Sequence, residues 1–534
     1  MIRSFSASQI DQAEQNLMKQ VPLGSLMAKA SQAAANLILR ELRKRRGKAA
    51  GANVLLLVGP GNNGGDALFA GVQLLRRGVA VTAVATANKV HQEGQASFGR
   101  AGGRMLHLAD VGPGAKVSIE DITAIALRSD CIVDGLLGIG ARGPLAGRAA
   151  ALVTTLIVEI GLEAPLRYRR PHRPSVVAID LPSGVGVDDG MVDGQVLPAD
   201  VTVTFGAYKP CALLPPASLL FGRIELVDIG LTPPLNELGI QPVAQRFEGS
   251  DVLNAWPVPR RGDHKYTRGV VGVVAGSDTY PGAAVLTTSA AVASGVGMVR
   301  YLGPDRAVER VLSRRPEVVP GGGRVDAWAL GPGVAPGADS QLDRISRALE
   351  WARAERVPAV LDAGGFAKLP KPPERLDPWI ILTPHAGEMA TLLQDRGVPT
   401  ERDQVEQQPA HYARLAAEVV GGTILLKGPA TVVAGQDDSL YVQADGTPWL
   451  ATAGTGDVLT GLIGALLAGH GDSVAISSEL PAQIAALGAL IHGRAAVLAS
   501  TGSVVAKPDV LGQPISAADV IKALSRTIAE LLAK

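Results

Sequence analysis

Three glycine-rich segments in the first half of the chain carry polar side chains directly after apolar runs. They read GPGNNGGD (59–66), VDGLLGIGARGP (133–144) and DLPSG (180–184). Glycines between a strand and a helix let backbone N–H groups approach a pyrophosphate, and the helix N-terminus attracts the anion. Asn62, Asn63 and Asp66 add hard oxygens that suit a cation. A plain strand-to-helix turn is the simpler alternative, but it does not explain three polar side chains in one turn.

Asp134, Asp180 and Ser183 each follow a predicted strand. The carboxyl ends of parallel strands lie along one edge of a sheet, so the three loops are expected to converge on one crevice. Taken singly, each residue could cap a turn, as Asp and Ser often do. Three such turns in one domain favour a ligand site.

The most informative segment of the second half is TAGTGDVLTGLIGALLAG (452–469). Gly454, Thr455 and Gly456 precede Asp457, and an apolar helix follows. Amides at that helix N-terminus can form an anion hole for a transferring phosphoryl group, while Asp457 can accept the proton of an attacking hydroxyl. The alternative is that Asp457 only caps a buried helix.

Three other segments of the second half offer polar or glycine residues after a strand. TILLKGPATVV contains Lys427, WALGPGV contains Gly333, and TPHAGE contains His385 and Glu388. A lysine at a strand end can meet nucleotide phosphates, although this signal is weak alone. His385 alone is more typical of a structural histidine, and its proline, glycine and glutamate neighbours make it a site candidate.

The elements that position these residues alternate between strand and helix. Asn53–Val58 is predicted as a buried strand, the Gly-rich turn follows it, and a helix is predicted over Asp66–Arg77. This alternation continues and indicates mostly parallel sheets with helices on both faces. The uncharged stretch Ala283–Val299 is predicted to be a buried helix, not a membrane span.

Residues 231–247 contain three prolines and no clear periodicity, so we place a linker there. It separates a domain over 1–230 from a second over 248–534. The arginine-rich stretch Gly161–Pro174 is expected to be a variable surface loop.

Composition limits the functions that fit this chain. A length of 534 residues exceeds one core, and a net charge of +1 gives no general attraction to nucleic acid or membranes. Two cysteines, Cys131 and Cys211, indicate a reducing compartment, and the first residues lack the apolar run of a signal peptide. We therefore expect a cytoplasmic protein without nucleic-acid or membrane partners.

Over about residues 5–230, GPGNNGGD, VDGLLGIGARG and DLPSG resemble the epimerase domain of the NAD(P)H-hydrate repair family. The resemblance implies a Rossmann-like three-layer domain, with a potassium ion held by Asn63, Asp134 and Ser183. It implies that Asp180 is the catalytic acid/base. Ala67 departs from the family pattern, which more often has glycine at the position after the aspartate. The residues implied to contact the hydrated cofactor are Asn62, Asn63, Gly64, Gly65, Asp66, Gly138, Ile139, Gly140, Ala141, Arg142, Gly143, Pro144 and Asp180.

The GTGD and K-G-x-x-T patterns of the second half resemble the ribokinase-like superfamily. With AGSDTYPGAA, ALGPG and TPHAGE, they resemble the ADP/ATP-dependent NAD(P)H-hydrate dehydratase domain over about residues 248–530. The resemblance implies a ribokinase-like three-layer domain with Asp457 as the catalytic base. It implies hydrate contacts at Ala283, Gly333, His385 and Asp457, and nucleotide contacts at Lys427, Gly428, Pro429, Ala430, Thr431 and Gly456.

The combined resemblance implies a bifunctional repair enzyme. The first domain interconverts the R and S hydrates of NADH and NADPH (NADHX and NADPHX) at C6, and the second dehydrates the S form with ADP and Mg²⁺, releasing AMP and phosphate. The residues do not separate ADP from ATP, and the family suggests a homo-oligomer.

Two rival interpretations stay open at the level of sequence. One is a small-alcohol kinase of the ribokinase-like type fused to a Rossmann-like domain, which leaves the converging loops of the first half unexplained. The other is a non-catalytic nucleotide sensor, which has no need for both Asp180 and Asp457.

Overall fold

The computed structural model divides into two compact units. The first comprises Arg3–Val243, and the second comprises Ala244–Lys534 with Met1 and Ile2. Strand β1 (Ile2–Ser4) straddles the division. Residues 163–172 of the expected surface loop lie outside the described part of the chain. The structure describes residues 1–108, 116–162, 173–471, 473–505 and 510–533.

The first unit is built on an eight-stranded sheet whose strands pair in parallel. The order across the sheet is β5-β4-β3-β2-β6-β7-β8-β9. The strands are β2 (Asn53–Val58), β3 (Ala80–Ala85), β4 (Arg104–Leu108), β5 (Lys116–Val117), β6 (Cys131–Gly135), β7 (Ser175–Ile179), β8 (Val201–Phe205) and β9 (Arg223–Val227). The helices are α1 (Ala7–Met18), α2 (Ser25–Arg46), α3 (Asn62–Leu75), α4 (Gln92–Arg100), α5 (Ile119–Leu127), α6 (Gly147–Ile160) and α7 (Thr232–Glu237).

Both faces of this sheet are covered, because successive strand residues point to opposite sides. In β2, Leu56 belongs to the hydrophobic core that includes α2 and α3. Its neighbours Leu55 and Leu57 belong to a separate core that includes α5 and α6. This three-layer arrangement confirms the α/β fold class. The chain leaves β2 for β3 on one side and later returns to β6 on the other, so a switch point of the topology lies between β2 and β6.

The second unit contains a larger, mixed sheet. Its strands follow the order β10-β19-β18-β17-β16-β15-β14-β11-β12-β13, and they pair in parallel except that β18 is antiparallel to both β17 and β19. The strands are β10 (Ala244–Arg246), β11 (Val270–Val274), β12 (Met298–Tyr301), β13 (Val319–Pro320), β14 (Ala327–Leu330), β15 (Ala359–Leu361), β16 (Leu376–Leu382), β17 (Gly421–Leu426), β18 (Thr431–Ala434) and β19 (Leu440–Gln443).

Eleven helices of the second unit are described. They are α8 (Val252–Ala255), α9 (Pro281–Ala293), α10 (Asp305–Arg314), α11 (Asp339–Ala354), α12 (Ala386–Gln394), α13 (Arg402–Gln407), α14 (Pro409–Val419), α15 (Thr455–His470), α16 (Ser473–Ile476), α17 (Leu480–Thr501) and α18 (Ala517–Leu532). Among the described residues, only α17 is long and apolar enough to cross a membrane, but 83% of its apolar window is buried inside the protein, as in a core helix.

Three segments differ from the sequence-based prediction. Helix α3 begins at Asn62 and not at Asp66, because Gly61 ends the turn and the polar residues form the first helical turn. The stretch 231–247 is not without structure: it contains α7, where Leu235 is buried, and β10. The buried helix predicted over Ala283–Val299 ends at Ala293, and the following apolar residues enter β12.

Candidate active sites

The glycine loop after β2 brings two backbone segments into very close contact. A Cβ added to Gly59 would lie 1.7 Å from the carbonyl oxygen of Leu136, and one added to Gly64 would lie 2.3 Å from the carbonyl oxygen of Gly59. Gly61 has a φ of 84° at the cap of α3. Only glycines permit this approach, so the first-turn amides of α3 reach the carboxyl edge of the sheet.

The interpretation of this loop as meeting neither the dinucleotide-binding nor the P-loop glycine pattern is wrong for the dinucleotide-binding pattern. Gly59, Gly61 and Gly64 stand at G-x-G-x-x-G spacing, between a strand and a helix as that pattern requires. The loop also lies at the switch point between β2 and β6, where sheets of this type bind ligands. Both facts indicate a nucleotide-like ligand.

The structure brings together the three predicted potassium ligands. Ser183 Oγ donates to Asp134 Oδ1 at 2.6 Å, and its backbone N–H donates to Asp134 Oδ2 at 2.8 Å. Ser183 Oγ also accepts from the Leu137 N–H at 2.8 Å, and Asn63 Nδ2 donates to the Leu137 carbonyl at 2.8 Å. Asn63, Asp134 and Ser183 therefore meet around the loop that follows β6.

Asp134 is completely buried. Burial raises the pKa of its carboxyl, while hydrogen bonds from Ser183 and Leu136 act in the opposite direction. Within the described residues no cationic side chain forms an ion pair with it. A buried carboxylate without a cation is costly, so this position suits a bound cation.

The loop of residues 138–144 continues from this cluster. A Cβ added to Gly138 would lie 3.0 Å from Asn63 Cβ, so the start of the loop packs directly against α3. Residues 140 and 142–144 are exposed. The structure therefore connects the beginning of the predicted 138–144 segment to the cluster and leaves its end at the surface.

Asp180 follows β7 in a backbone conformation that few non-glycine residues adopt. Its φ is 68°, and the Leu181 N–H donates to the Ile179 carbonyl at 2.9 Å, which closes a tight turn around it. Its Oδ1 accepts hydrogen bonds from Lys209 Nζ at 2.5 Å and from Thr204 Oγ1 at 3.2 Å. The surrounding structure thus fixes both the backbone and the carboxylate of Asp180.

Sequence reasoning missed Lys209 and Glu14. The ammonium of Lys209 is buried, and besides Asp180 it donates to Thr204 Oγ1 and to the Phe205 carbonyl, both at 3.0 Å. Glu14 and Asp66 lie close enough to interact electrostatically with Asp180. A single buried lysine in YKPCA, far along the chain from Asp180, carried no motif that could have revealed it.

The acids around Asp180 are forced toward their neutral forms. Burial, and then the charges of Asp180 and Glu14, raise the pKa of Asp66 to about 8. Burial also raises the pKa of Glu14, against the lowering effect of Lys209. Asp66 Oδ1 is buried without a hydrogen-bond partner in the described part of the protein. Both the burial and the neighbouring charges therefore favour the protonated form of Asp66.

In the second unit, the GTGD segment forms the beginning of α15. Gly454 is the cap residue, with a φ of 88°, and Asp457 is the third residue of the helix. No side chain caps this helix through a hydrogen bond. The alternative that Asp457 serves as the N-cap is therefore wrong, because the glycine occupies that position.

Asp457 lies beside an ion pair that joins three elements. Lys427 Nζ, after β17, donates to Asp362 Oδ1, after β15, at 2.7 Å, and Thr460 Oγ1 of α15 donates to Asp362 Oδ2 at 3.3 Å. Burial, and then the charge of Asp362, raise the pKa of Asp457 to about 6, while Lys427 acts to lower it. Asp362 and Thr460 were absent from the sequence-based set, because LDAGG resembles an ordinary strand end.

The predicted nucleotide segment, Lys427–Thr431, forms the turn between antiparallel strands β17 and β18. The Lys427 N–H donates to the Pro384 carbonyl at 2.8 Å. A Cβ added to Gly456 would lie 3.6 Å from Lys427 Nζ. The structure thus brings Lys427 and Gly456 together, while Gly428 and Pro429 are exposed.

The remaining hydrate residues of the second unit lie at the same carboxyl edge. A Cβ added to Gly333 would lie 2.3 Å from Ala283 Cβ, so these two residues are in contact. His385 caps α12: its Nδ1 accepts from the Glu388 N–H at 3.2 Å, and its Nε2 lies 3.5 Å from Glu388 Oε2. Glu388 Oε2 in turn lies 3.9 Å from Lys427 Nζ, which links His385 to the ion pair.

These two sites define a two-unit nucleotide-handling enzyme with a candidate acid/base at each sheet edge, and comparison with known proteins agrees. The family profile described as "YjeF-related protein N-terminus" matches residues 23–211, and that described as "NAD(P)H-hydrate dehydratase" matches residues 271–516. The bifunctional NAD(P)H-hydrate repair enzyme of Mycobacterium leprae is 38% identical over 99% of both chains. That of Escherichia coli is 31% identical over 86% of this chain and 85% of its own.

A solved structure is also similar to the second unit. The ADP/ATP-dependent NAD(P)H-hydrate dehydratase of Bacillus subtilis, co-crystallised with ATP/Mg²⁺, is 28% identical and covers 54% of this chain and 98% of its own, with a TM-score of 0.44. The identity and coverage of the full-length relatives decide the assignment. The chain belongs to the family of bifunctional NAD(P)H-hydrate repair enzymes. The small-alcohol kinase interpretation is not favoured, because these relatives extend over both units.

Proposed function

We propose that the first unit interconverts the R and S hydrates of NADH and NADPH at C6, and that the second dehydrates the S form at the expense of ADP, releasing AMP and phosphate. One observation carries the proposal. In each unit a candidate acid/base, Asp180 or Asp457, stands at the carboxyl edge of the sheet next to a glycine-opened helix N-terminus. The helix amides suit the phosphates of a dinucleotide or of ADP, and the carboxylate suits proton transfer.

In the epimerase unit, Asp180 acts as the acid/base at C6. Within one turnover it takes the proton of the C6 hydroxyl as the C6–N1 bond opens, and returns it as that bond re-forms on the opposite face of C6, so no net proton is consumed. Lys209 holds the carboxylate in place at 2.5 Å, and the tight turn around Asp180 fixes its backbone. The hydrated cofactor lies along residues 62–66 and 138–144, its phosphates at the first turn of α3.

The residues Asn63, Asp134 and Ser183 fit a potassium ion. The fit rests on the completely buried Asp134 carboxylate, which is met by hydrogen bonds and by no ion pair in the described part of the chain. A bound monovalent cation supplies the missing positive charge next to the phosphate-binding loop. The prediction is that epimerase activity depends on potassium.

In the dehydratase unit, Asp457 takes the proton of the C6 hydroxyl. The hydroxyl oxygen then attacks the terminal phosphorus of ADP, and the bond to AMP breaks. Amides of the first turn of α15 and the Lys427 ammonium stabilise the negative charge of the phosphoryl group in transfer. Phosphate then leaves C6 while C5 loses a proton, which restores the C5–C6 double bond. The net products are the reduced cofactor, AMP, phosphate and one proton.

The hydrate is placed against Asp457 by Ala283, Gly333 and His385, and the nucleotide by residues 427–431 with Gly456. Mg²⁺ accompanies the nucleotide, where it neutralises phosphate charge. An edge with Lys427, a helix N-terminus and the carboxylates of Asp362 and Glu388 suits a metal–phosphate complex of this kind. We assign no individual side chain to the magnesium ion.

The test follows the near-ultraviolet absorbance of the reduced nicotinamide. A mixture of R and S NADPH hydrate is supplied with Mg²⁺, K⁺ and ADP, and the experiment is repeated with ATP. The wild type is expected to restore all of the absorbance. Asp457→Ala is expected to restore none, and Asp180→Ala is expected to stop near the S fraction, with spontaneous epimerisation measured alongside.

Asp305→Ala is the matched control, because Asp305 is also an acidic residue in the first turn of a helix but is exposed on α10. It is expected to behave as the wild type. If the wild type restores no absorbance with either nucleotide, the repair function is wrong for this chain.

We further propose that the enzyme works in the cytoplasm as a homo-oligomer. Both cysteines are free and buried, which suits a reducing compartment. Light scattering of the purified chain tests the oligomeric state.

A further inference from the structure

Asp362 is a buried carboxylate that has no role in the steps of the proposed reaction. It lies directly after β15 and is 3% exposed. Its Oδ1 accepts from Lys427 Nζ at 2.7 Å, and its Oδ2 accepts from Thr460 Oγ1 at 3.3 Å. One carboxylate thus connects the ends of β15 and β17 with the second turn of α15.

The Lys427 ammonium lies beside the N-terminus of α15, where a nearby negative charge stabilises it. A Cβ added to Gly456, the second residue of α15, would be 3.6 Å from Lys427 Nζ and 3.5 Å from Asp362 Oδ2. A helix N-terminus carries a partial positive charge and repels a cation. The Asp362 carboxylate offsets that repulsion and leaves two of the three ammonium protons of Lys427 for other acceptors.

We infer that Asp362 is a positioning residue of the dehydratase reaction. Its carboxylate holds the Lys427 ammonium beside the first turn of α15, where the nucleotide phosphates bind, and it places a negative charge beside the base Asp457. The inference rests on the proposed function of the second unit.

The members of the ion pair act on Asp457 with opposite sign. Beyond the effect of burial, the charge of Asp362 raises the pKa of Asp457 and the charge of Lys427 lowers it, and the result is about 6. Removal of Asp362 therefore lowers this pKa, and removal of Lys427 raises it. The other titratable groups near this edge are Glu388, 3.9 Å from Lys427, His385, 3.5 Å from Glu388, and the buried His492, whose pKa is lowered to about 4 so that it is neutral.

The experiment measures kcat/KM of dehydration against pH at saturating ADP, where the acid limb reports the base in its ionised form. Asp362→Asn is expected to move the acid limb to lower pH, and Lys427→Met to move it to higher pH, each by about one unit. Both variants are also expected to raise the KM for ADP, by about 10-fold for Asp362→Asn, as for the loss of one charged contact.

Two further variants separate charge from packing. Asp362→Glu keeps the charge, and its acid limb is expected to stay at the wild-type pH even if its rate falls. Thr460→Val removes the second hydrogen bond of Asp362 at nearly constant volume, and its acid limb is also expected to stay. If Asp362→Asn and Lys427→Met move the limb in the same direction, or if Asp362→Asn does not move it, the inference is wrong.

The outcome is independent of the test of the proposed function. A wild-type chain that regenerates no reduced cofactor contradicts the dehydratase function itself. A wild-type chain that is active, combined with an Asp362→Asn variant whose acid limb and ADP KM are unchanged, contradicts only the role of Asp362.

Discussion

The two sites use their lysine in different ways. In the first unit, Lys209 pairs directly with the proposed catalytic carboxylate of Asp180, and both side chains are buried. In the second unit, Lys427 pairs with Asp362, and the proposed base Asp457 stands beside the pair without a hydrogen bond to it. A direct pair fixes a carboxylate in place, whereas an indirect pair adjusts its proton affinity and leaves it free to reach a substrate.

The difference extends to the neighbouring acids. In the first unit, burial raises the pKa of Asp66 to about 8, and Asp66 stands near the paired Asp180. In the second, the proposed base itself is shifted, to about 6. The two units are therefore expected to respond differently to pH and to loss of their lysine.

The largest expected effect comes from Asp66→Asn. Burial raises the pKa of Asp66 in the folded state to about 8, whereas an unfolded aspartate titrates near 4. Between about pH 4 and pH 8 only the unfolded chain loses this proton, so the free energy of unfolding of the wild type falls as pH rises. The Asn variant avoids this loss. Its first unit is expected to be more stable by roughly 4–5 kcal/mol at pH 8, with little difference near pH 4. Urea unfolding of the two proteins across this range checks it, and an advantage that is constant with pH would contradict it.

The next largest effect is that of Lys209→Met. Loss of one partner of a buried ion pair leaves Asp180 uncompensated, at a cost of about 3–5 kcal/mol to the first unit. Epimerase activity is expected to disappear. Hydrogen exchange of amides in β7 and β8 measures the loss of stability.

Lys427→Met is the matched comparison for that variant. Its side chain is 23% exposed, and Thr460 and the first turn of α15 still stabilise the Asp362 charge, so the second unit is expected to lose less. Equal losses in the two units would show that the direct and indirect pairs do not differ in the way described.

Asp457→Asn repeats the pH experiment in the second unit. The folded-state pKa of about 6 is again raised, so wild-type stability is lost between about pH 4 and 6 and changes little above that. The Asn variant is expected to be inactive as a dehydratase yet more stable by about 3 kcal/mol at pH 7. The gain in stability of Asp457→Asn over the wild type should stop increasing near pH 6, about two pH units below the pH at which the gain of Asp66→Asn stops increasing. If both gains stopped increasing at the same pH, the different pKa values of Asp457 and Asp66 would be contradicted.

The smallest effect is expected from Gly138→Ala. The new Cβ would lie 3.0 Å from Asn63 Cβ, which must shift and disturb the proposed potassium ligands. We expect a rise of about 5-fold in the potassium concentration needed for half-maximal epimerisation, from a perturbation near 1 kcal/mol. Gly99→Ala on α4, where a Cβ would meet nothing within 4 Å, is the control and is expected to match the wild type.

The central strands could be predicted from sequence. Asn53–Val58, Ala80–Ala85 and Val201–Phe205 have the bounds that the sequence predicts, because these segments are rich in the apolar and β-branched residues typical of buried parallel strands. Arg223–Val227 was not predicted, since RIELV alternates polar and apolar residues at a sheet edge. The first turn of α3 is not predicted as helical, because its Asn and Gly residues have low helix propensity, which packing against β2 overrides.

The candidate site residues divide in the same way. Asn63, Asp134 and Ser183 lie in recognisable segments, and the structure brings them together. Lys209 is 29 residues from Asp180, and Asp362 is 65 residues from Lys427. Neither pair has a fixed spacing in the sequence, so only the order of strands in the sheet shows that they meet.

The turn at Lys427–Thr431 has a consequence for the thermodynamics of nucleotide binding. It is held between two hydrogen-bonded antiparallel strands and tied to Pro384, so its backbone is already confined before any nucleotide arrives. Little chain entropy then remains to be lost on binding. Calorimetry of ADP binding is expected to give a heat-capacity change no larger than that produced by burial of the apolar surface that the nucleotide itself covers. A segment that folded around its ligand would add a further contribution.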